Sequence, residues 1–107
     1  MSVVSVYAVF ADAGEAERIS RLMLEEHRAA CVNIFGPCRS IYRWKEALES
    51  AEEVPAIFKT SADSVDALVA RIAELHSYDV PCITASKVDA AFPPYGEWIS
   101  EELKRAP

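Results

Sequence analysis

The chain has 107 residues, 51% of them hydrophobic and 26% charged, with a formal net charge of −6 at pH 7, which is typical of one soluble globular domain over residues 1–107. The negative charge argues against nucleic-acid and anionic-membrane partners, because both need a basic protein surface. No apolar run reaches the roughly 20 residues of a membrane span, and Met1 to Phe10 lacks the basic start of a signal peptide. The three widely spaced cysteines form no disulfide framework. We therefore expect a cytoplasmic protein.

The predicted elements follow one another as strand, helix, interrupted strand, return strand, helix, strand and short helix. In chain order they are a strand at 3–11, a helix at about 14–28, strand segments at 31–35 and 38–45, a charged turn-like segment at 46–53, a return strand at 54–60, a helix with the apolar stripe Val65, Leu68, Ile72 and Leu75, a strand at 82–89, and an amphipathic helix around 95–103.

Local signals support several of these boundaries. Asp12 followed by Glu15 is a capping-box pattern at the start of the first helix. Ser61 or Asp63 is expected to cap the second helix. Pro55 cannot donate a ladder hydrogen bond, so we expect it at a sheet edge or near the start of its strand.

The order β-α-β-β-α-β with a short C-terminal helix predicts the α+β class and a ferredoxin-like sheet, with a long hairpin between its second strand (segments 31–35 and 38–45) and its third strand (54–60). Helices would cover one face of that sheet. The hairpin carries Tyr42, Trp44, Ile57 and Phe58, which is too much apolar area to leave in water. We therefore predict a homo-oligomer in which sheet faces and hairpin edges pack together.

Five short stretches then resemble the CutA family, the divalent-cation tolerance proteins, in order and spacing over roughly residues 3–103. They are Ala29-Ala30-Cys31-Val32-Asn33-Ile34, Ser40-Ile41-Tyr42-Arg43-Trp44, Ile57-Phe58-Lys59-Thr60, His76-Ser77-Tyr78-Asp79-Val80-Pro81 and Tyr95-Gly96-Glu97-Trp98-Ile99. The resemblance implies a ferredoxin-like subunit of a tight homotrimer, similar in architecture to the nitrogen-regulatory PII proteins. It also implies a role in tolerance of divalent metal ions, with a copper ion as the possible ligand.

The chain departs from the family pattern at several positions. Asp79 and Cys82 stand where the family usually has glutamates, and Glu46 stands where it often has glycine after the tryptophan. Phe10 occupies a position near the end of the first strand where a cysteine can take part in the family's metal ligation. These changes leave His76 as the main surviving residue of such a site.

Cys31, Cys82 and His76 are the candidate metal ligands. Each cysteine begins a predicted strand after a helix, positions that a split βαβ fold can bring close, and thiolate with imidazole suits Cu(I) or Zn(II). The alternative is that the thiols are small buried groups and that His76 caps the last carbonyls of its helix, where the dipole favours a cation.

A second set of residues is expected at a subunit interface or in a cleft between subunits. The set consists of the aromatic residues Tyr42, Trp44, Tyr78, Tyr95 and Trp98, together with Lys59. No nucleophile–base pattern or phosphate-binding glycine loop is present, so we do not predict an enzyme.

The sequence is compatible with three functions. The first is a trimeric metal-responsive protein that binds copper or another divalent ion. The second is a PII-like regulatory module that binds a small ligand or partner between subunits, for which a flexible loop at 46–53 would be the distinguishing feature. The third is a scaffold for assembly and docking of a partner.

Overall fold

The computed structural model describes residues 2–104 and shows an α+β protein with an antiparallel sheet and three helices. The strands are β1 (Val3–Phe10), β2 (Cys31–Ile34), β3 (Cys38–Trp44), β4 (Ala47–Ser61) and β5 (Ile83–Lys87). The helices are α1 (Ala13–Glu25), α2 (Val65–Leu75) and α3 (Pro93–Leu103). No helix among the described residues is long and apolar enough to span a membrane.

The centre of the sheet is formed by β4 and β1. The strand order is β2-β4-β1-β5, every pair is antiparallel, and β3 pairs with the first half of β4 beyond the end of β2. In the central register Val6 lies opposite both Phe58 and Ala85. Because side chains alternate along a strand, the even-numbered residues of β1 and β4 share one face and the odd-numbered residues share the other.

The hydrophobic core lies between the even-numbered face and helices α1 and α2. Its buried members are Val4, Val6, Ala8, Phe10, Ala16, Ile19, Met23, Ala29, Val54, Ala56, Phe58, Leu68 and Ile72. Helix α3 lies at the opposite face near β2, where the Tyr95 hydroxyl is 3.2 Å from Cys31 Sγ. Within residues 2–104 the remainder of this odd-numbered face has no helix over it.

Residues 47–53 belong to β4, which corrects the expectation of a turn-like segment at 46–53. The chain turns instead at Lys45 and Glu46, whose φ angles are 48° and 68°. Paired positive φ angles are the geometry of a tight two-residue hairpin turn, which usually takes Asn-Gly. The strand was hidden because most side chains of this projecting hairpin, residues 38–53, are exposed, so its sequence lacks the apolar alternation of a covered strand. We call residues 38–53 the hairpin arm.

Pro55 lies well inside β4, so the prediction that it sits at a sheet edge or strand start was wrong. Its carbonyl accepts from the Phe35 N–H at 3.0 Å, so its backbone polar groups point away from β1 and toward the β2–β3 side. At that point the neighbouring strand is interrupted between Ile34 and Cys38. The missing proline donor therefore falls at a gap and breaks no ladder hydrogen bond.

The start of α1 confirms the predicted cap. The Asp12 carboxylate accepts from the Glu15 N–H at 2.8 Å. The helix ends at Glu25, earlier than the predicted 28, because His27 adopts a φ of 56° that a right-handed helix cannot continue.

The start of α2 differs from the prediction. The residue before the helix is Ser64, rather than a capping Ser61 or Asp63, and it makes no side-chain capping hydrogen bond. Packing of Leu68 and Ile72 in the core, both fully buried, therefore holds this helix more than its cap does.

Glu26 joins α1 to α2 and gives the fold a predicted acid sensitivity. Its carboxylate accepts from Arg71 at 2.9 Å and from Arg28 at 2.8 Å, and these bonds, with Arg71 the stronger, lower the pKa of Glu26 to about 2. Because the pKa of Glu26 is lower in the folded protein than in the unfolded chain, its ionised carboxylate stabilises the fold fully at pH values above its ordinary pKa of 4.5. That stabilisation is lost as the pH falls through the folded-state pKa.

We therefore expect the melting temperature of the protein to fall between pH 4.5 and about 2 more steeply than that of Glu26→Gln. Scanning calorimetry at matched chain concentration measures both profiles. Parallel profiles for the two proteins would contradict the linkage.

Candidate functional site: an aromatic and acidic cleft

A cleft of about 640 Å³ opens on the odd-numbered sheet face, between β1, the hairpin arm and the segment after α2. We call it the aromatic cleft. Its lining residues are Tyr7, Val9, Ser40, Ile41, Tyr42, Trp44, Glu53, Tyr78, Asp79, Val80 and Cys82. The volume lies within the range of about 300–1,000 Å³ that is usual for small-molecule sites.

His76 positions one wall of this cleft from inside the protein. Its side chain is fully buried, and its Nε2–H donates to the Val9 carbonyl at 2.8 Å. Its Nδ1 accepts from the Tyr78 N–H at 3.0 Å, so both ring nitrogens are used and the ring is the neutral Nε2–H tautomer. The ring also stacks on Phe10, with centroids 5.3 Å apart. His76 thus fastens the segment after α2 to the end of β1, and it does not cap the helix through its side chain.

Glu15 holds the same segment from the α1 side. One carboxylate oxygen accepts from the Ala11 N–H at 3.0 Å and the other from the Ser77 N–H at 2.9 Å. Burial acts to raise the pKa of Glu15, but the hydrogen bonds from Ala11 and Ser77 outweigh it and lower that pKa. The carboxylate therefore stays ionised at neutral pH and serves as an anchor for the turn.

Tyr78 and Glu53 meet at the floor of the cleft. The Tyr78 hydroxyl donates to Glu53 Oε2 at 2.8 Å, and Glu53 is only 7% exposed. Burial, followed by the hydrogen bond to the Glu53 carboxylate, raises the pKa of Tyr78 to about 12. The phenol remains a proton donor, and the carboxylate makes the cleft electrostatically negative.

The residues predicted for an interface or cleft divide into two groups. Tyr42, Trp44 and Tyr78 line the aromatic cleft of the single chain. The other three, Lys59, Tyr95 and Trp98, lie outside its lining.

Tyr95 and Trp98 stack on each other in α3 with centroids 5.9 Å apart, while Lys59 pairs in register with Ser5 and Cys31 at the other end of the sheet. Burial and the hydrogen bond with Cys31 raise the pKa of Tyr95.

The predicted metal ligands are not brought together within one chain. Cys31 lies beside Tyr95, Cys82 is exposed in the aromatic cleft, and His76 is buried with both nitrogens hydrogen-bonded. Residues 2–104 contain no group of three or more His, Cys, Asp or Glu side chains placed to hold a metal ion. The three residues therefore do not fit a copper site in the single chain.

Three residues that line or support the aromatic cleft were not singled out as site residues from the sequence. Glu53 was hidden in a charged segment interpreted as a turn, and Tyr7 was hidden in an apolar strand. Glu15 was seen only as a helix-cap partner, although it also binds Ser77, which is 62 residues away. The signal available for Tyr7 was strand alternation, because it lies out of phase with the buried Val6 and Ala8.

Fold and cleft together define a small α+β protein with a ligand-sized opening on its antiparallel sheet. A crystal structure of CutA from Xylella fastidiosa has the same architecture, with a TM-score of 0.93, 34% identity, and coverage of 96% of this chain and 99% of that one.

The chain belongs to the CutA family: residues 4–102 match the family model described as CutA1 divalent ion tolerance protein. The divalent-cation tolerance protein CutA of Pyrococcus horikoshii is 39% identical over 103 residues, covering 96% of this chain and all of the relative. The corresponding protein of Archaeoglobus fulgidus is 34% identical over 99 residues, covering 92% and 96% of the two chains.

Proposed function

We propose that this protein acts in tolerance of divalent metal ions, copper first among them, as a non-catalytic homotrimer in the cytoplasm. The observation that carries the proposal is the match of residues 4–102 to a family described by divalent ion tolerance. Family membership supports a metal-tolerance role. The assembly and the ion are additional proposals, and each depends on its own observations.

The hairpin arm supports assembly with further copies of the chain. Ile41 is 66% exposed, Trp44 is 49% exposed and Leu48 is 73% exposed. The radius of gyration is 14.4 Å, larger than the about 13 Å expected for a compact domain of this length, as a projecting arm requires. Exposed apolar side chains on a projecting hairpin are stabilised when a symmetric neighbour covers them. The strand order and the two helices on one face agree with the proposed ferredoxin-like subunit.

Copper binding is proposed through the thiols and not through His76. A metal at His76 would have to replace a hydrogen bond to Val9 or Tyr78 inside the protein. Cys82 is exposed and Cys31 is half-buried, so these thiols stay the candidate ligands, with additional donors supplied between subunits. Copper in such a site would be bound as Cu(I), which accepts few soft ligands.

The PII-like alternative is supported by the aromatic cleft, because a cleft of ligand size is what such a module needs. Its distinguishing loop is not favoured, since residues 47–53 form regular strand pairs with β3. A partner-docking scaffold has no specific observation in its favour beyond the exposed hairpin arm.

The test of the tolerance role is growth of a strain lacking this protein at raised copper. We expect the wild-type gene to restore growth and a Cys31→Ser/Cys82→Ser variant to restore it poorly, with Cys38→Ser as the matched control. A strain lacking the protein that grows normally at raised copper, zinc and cobalt would overturn the proposed function. Cu(I) titration of the reduced protein separates metal binding from tolerance, because binding that survives the double substitution would contradict the thiol assignment alone.

A further inference from the structure

Glu53 is a nearly buried carboxylate without a cationic partner in its own chain. It is 7% exposed, its Oε2 accepts from the neutral Tyr78 hydroxyl at 2.8 Å, and within residues 2–104 it forms no ion pair. The lining of the aromatic cleft adds the carboxylate of Asp79 and contains no Lys, Arg or His. Burial of a carboxylate without a cation is costly, so the cleft is complementary to a cation that its own lining does not supply.

The hairpin arm carries positive charge that is also unpaired. Arg39, Arg43 and Lys45 are exposed, and in the part of the chain that the structure describes none of them forms an ion pair. Unpaired cations and a buried, unpaired carboxylate therefore occur on the same projecting element.

The register of the arm keeps these charges apart within one chain. Glu53 lies opposite Cys38, an even-numbered residue of β3. Because side chains alternate along a strand and directly opposite residues share a face, Arg39 and Arg43 lie on the other face of the arm from Glu53. Lys45 lies at the tip, roughly 20 Å along the strand from Cys38. The cation that Glu53 lacks must therefore come from another molecule.

A second copy of the chain is the occupant that fits. The cleft opens on the sheet face and hairpin arm that the proposed homotrimer covers, so this inference rests on that part of the proposed function. The acidic cleft and the arginine-bearing face of the arm are two different surfaces of opposite charge, so a contact between them is head-to-tail. Head-to-tail contacts generate rings when their rotation closes, which is the arrangement of a trimer.

Arg43 is the best placed of the three arm cations. It lies opposite Leu48, which is 73% exposed, on the apolar part of the arm that a neighbouring copy is expected to cover. Arg39 lies opposite Glu52, a carboxylate of its own chain. A guanidinium forms paired hydrogen bonds with a carboxylate and stacks on aromatic rings, and the cleft offers both kinds of group, which favours an arginine over Lys45.

We propose that Arg43 of one copy enters the aromatic cleft of the next copy and pairs with Glu53 there. The pair forms at the end of the cleft where Glu53 meets Tyr78, so Glu53 accepts from a phenol of its own chain and from a guanidinium of its neighbour. Each subunit of the ring thus completes the charge of the next one, and the cleft is part of the subunit interface.

A double-mutant cycle between Arg43→Ala and Glu53→Gln tests the pair, with Arg39→Ala as the matched control on the same face of the arm. Glutamine keeps an acceptor for the Tyr78 hydroxyl and removes only the charge. The readout is the chain concentration at which half of the assembly dissociates, measured by analytical ultracentrifugation of the full reduced protein at one fixed urea concentration. Circular dichroism verifies that each variant keeps its sheet.

We expect Arg43→Ala and Glu53→Gln each to raise that concentration by at least about tenfold, because each leaves the other charge unpaired in the interface. In the Glu53→Gln background, Arg43→Ala should raise it by less than about threefold. Arg39→Ala should have the same effect, about threefold or less, in both backgrounds. If Glu53 had no cation in the assembly, Glu53→Gln would lower the concentration instead, because it removes a buried unpaired charge.

Equal effects of Arg43→Ala with and without the Glu53 charge would overturn the proposal, as would tighter assembly of Glu53→Gln. Coupling of Glu53 to Arg39 instead would overturn the assignment of Arg43. A wild-type chain that is monomeric without urea would overturn this inference together with the proposed trimer. Coupling between Arg43 and Glu53 in a protein whose loss leaves metal tolerance unchanged would support this inference and overturn the tolerance role alone, so the two failures are distinguishable.

Discussion

His76→Ala is expected to lower the free energy of unfolding by about 3–4 kcal/mol. The His76 side chain is fully buried, and its removal leaves a cavity against Phe10. It also leaves the Val9 carbonyl without its donor and frees the Tyr78 N–H. An unsatisfied buried polar group adds about 1–3 kcal/mol to the cavity term.

Urea unfolding at a fixed chain concentration measures this loss, because unfolding of an oligomer depends on concentration. His27→Asn is the matched control. The His27 ring Nδ1–H donates one hydrogen bond to the Glu102 carbonyl, 3.0 Å away, and asparagine tolerates the positive φ of 56° at this position. We expect the control to cost about 1 kcal/mol or less. A loss below about 1 kcal/mol for His76→Ala would contradict the role of His76 as a buried fastener.

Leu48→Glu is expected to dissociate the proposed trimer while leaving each chain folded. Leu48 is 73% exposed in the single chain, so the substitution should change the chain's own stability by no more than about 0.5 kcal/mol. In an assembly that covers the hairpin arm, it places an unpaired charge in an apolar interface, and symmetry repeats the change in every subunit. The interface then loses several kcal/mol in total.

Leu24→Glu makes the same chemical change on α1, at a position that is 37% exposed and away from the hairpin arm. Analytical ultracentrifugation should find a smaller particle for Leu48→Glu and an unchanged particle for Leu24→Glu. Circular dichroism should show intact sheet in both. An unchanged assembly in the Leu48 variant would exclude the hairpin arm tip from the interface.

Sequence patterns predicted the strands and helix ends that are determined by residues adjacent in the chain. The β-branched run of β1 and the Asp12 cap needed no distant contact, so both were predictable. Residues 47–53 were missed because the physical reason for their strand lies in pairing with β3, and a polar, exposed strand carries little period-two signal. Pro55 was misplaced because its tolerance depends on an interruption in the neighbouring strand.

In the candidate site, too, features set by adjacent residues were predictable and features set by distant contacts were not. Tyr42 and Trp44 could be assigned to one strand face from alternation alone, and the structure places both in the cleft. The partner of His76 could not be found, because Val9 is 67 residues away and contributes a backbone carbonyl that no sequence pattern marks. Glu53 became visible only when β4 was seen to run through the charged segment.

Native mass spectrometry of the full, reduced protein at low micromolar concentration tests the central claim most directly, namely that copies of this chain assemble around the exposed hairpin arm. We expect a particle of three times the 11.8 kDa chain mass that withstands dilution. A dominant species at the mass of one chain would contradict it, because the apolar arm would then have no second copy to cover it.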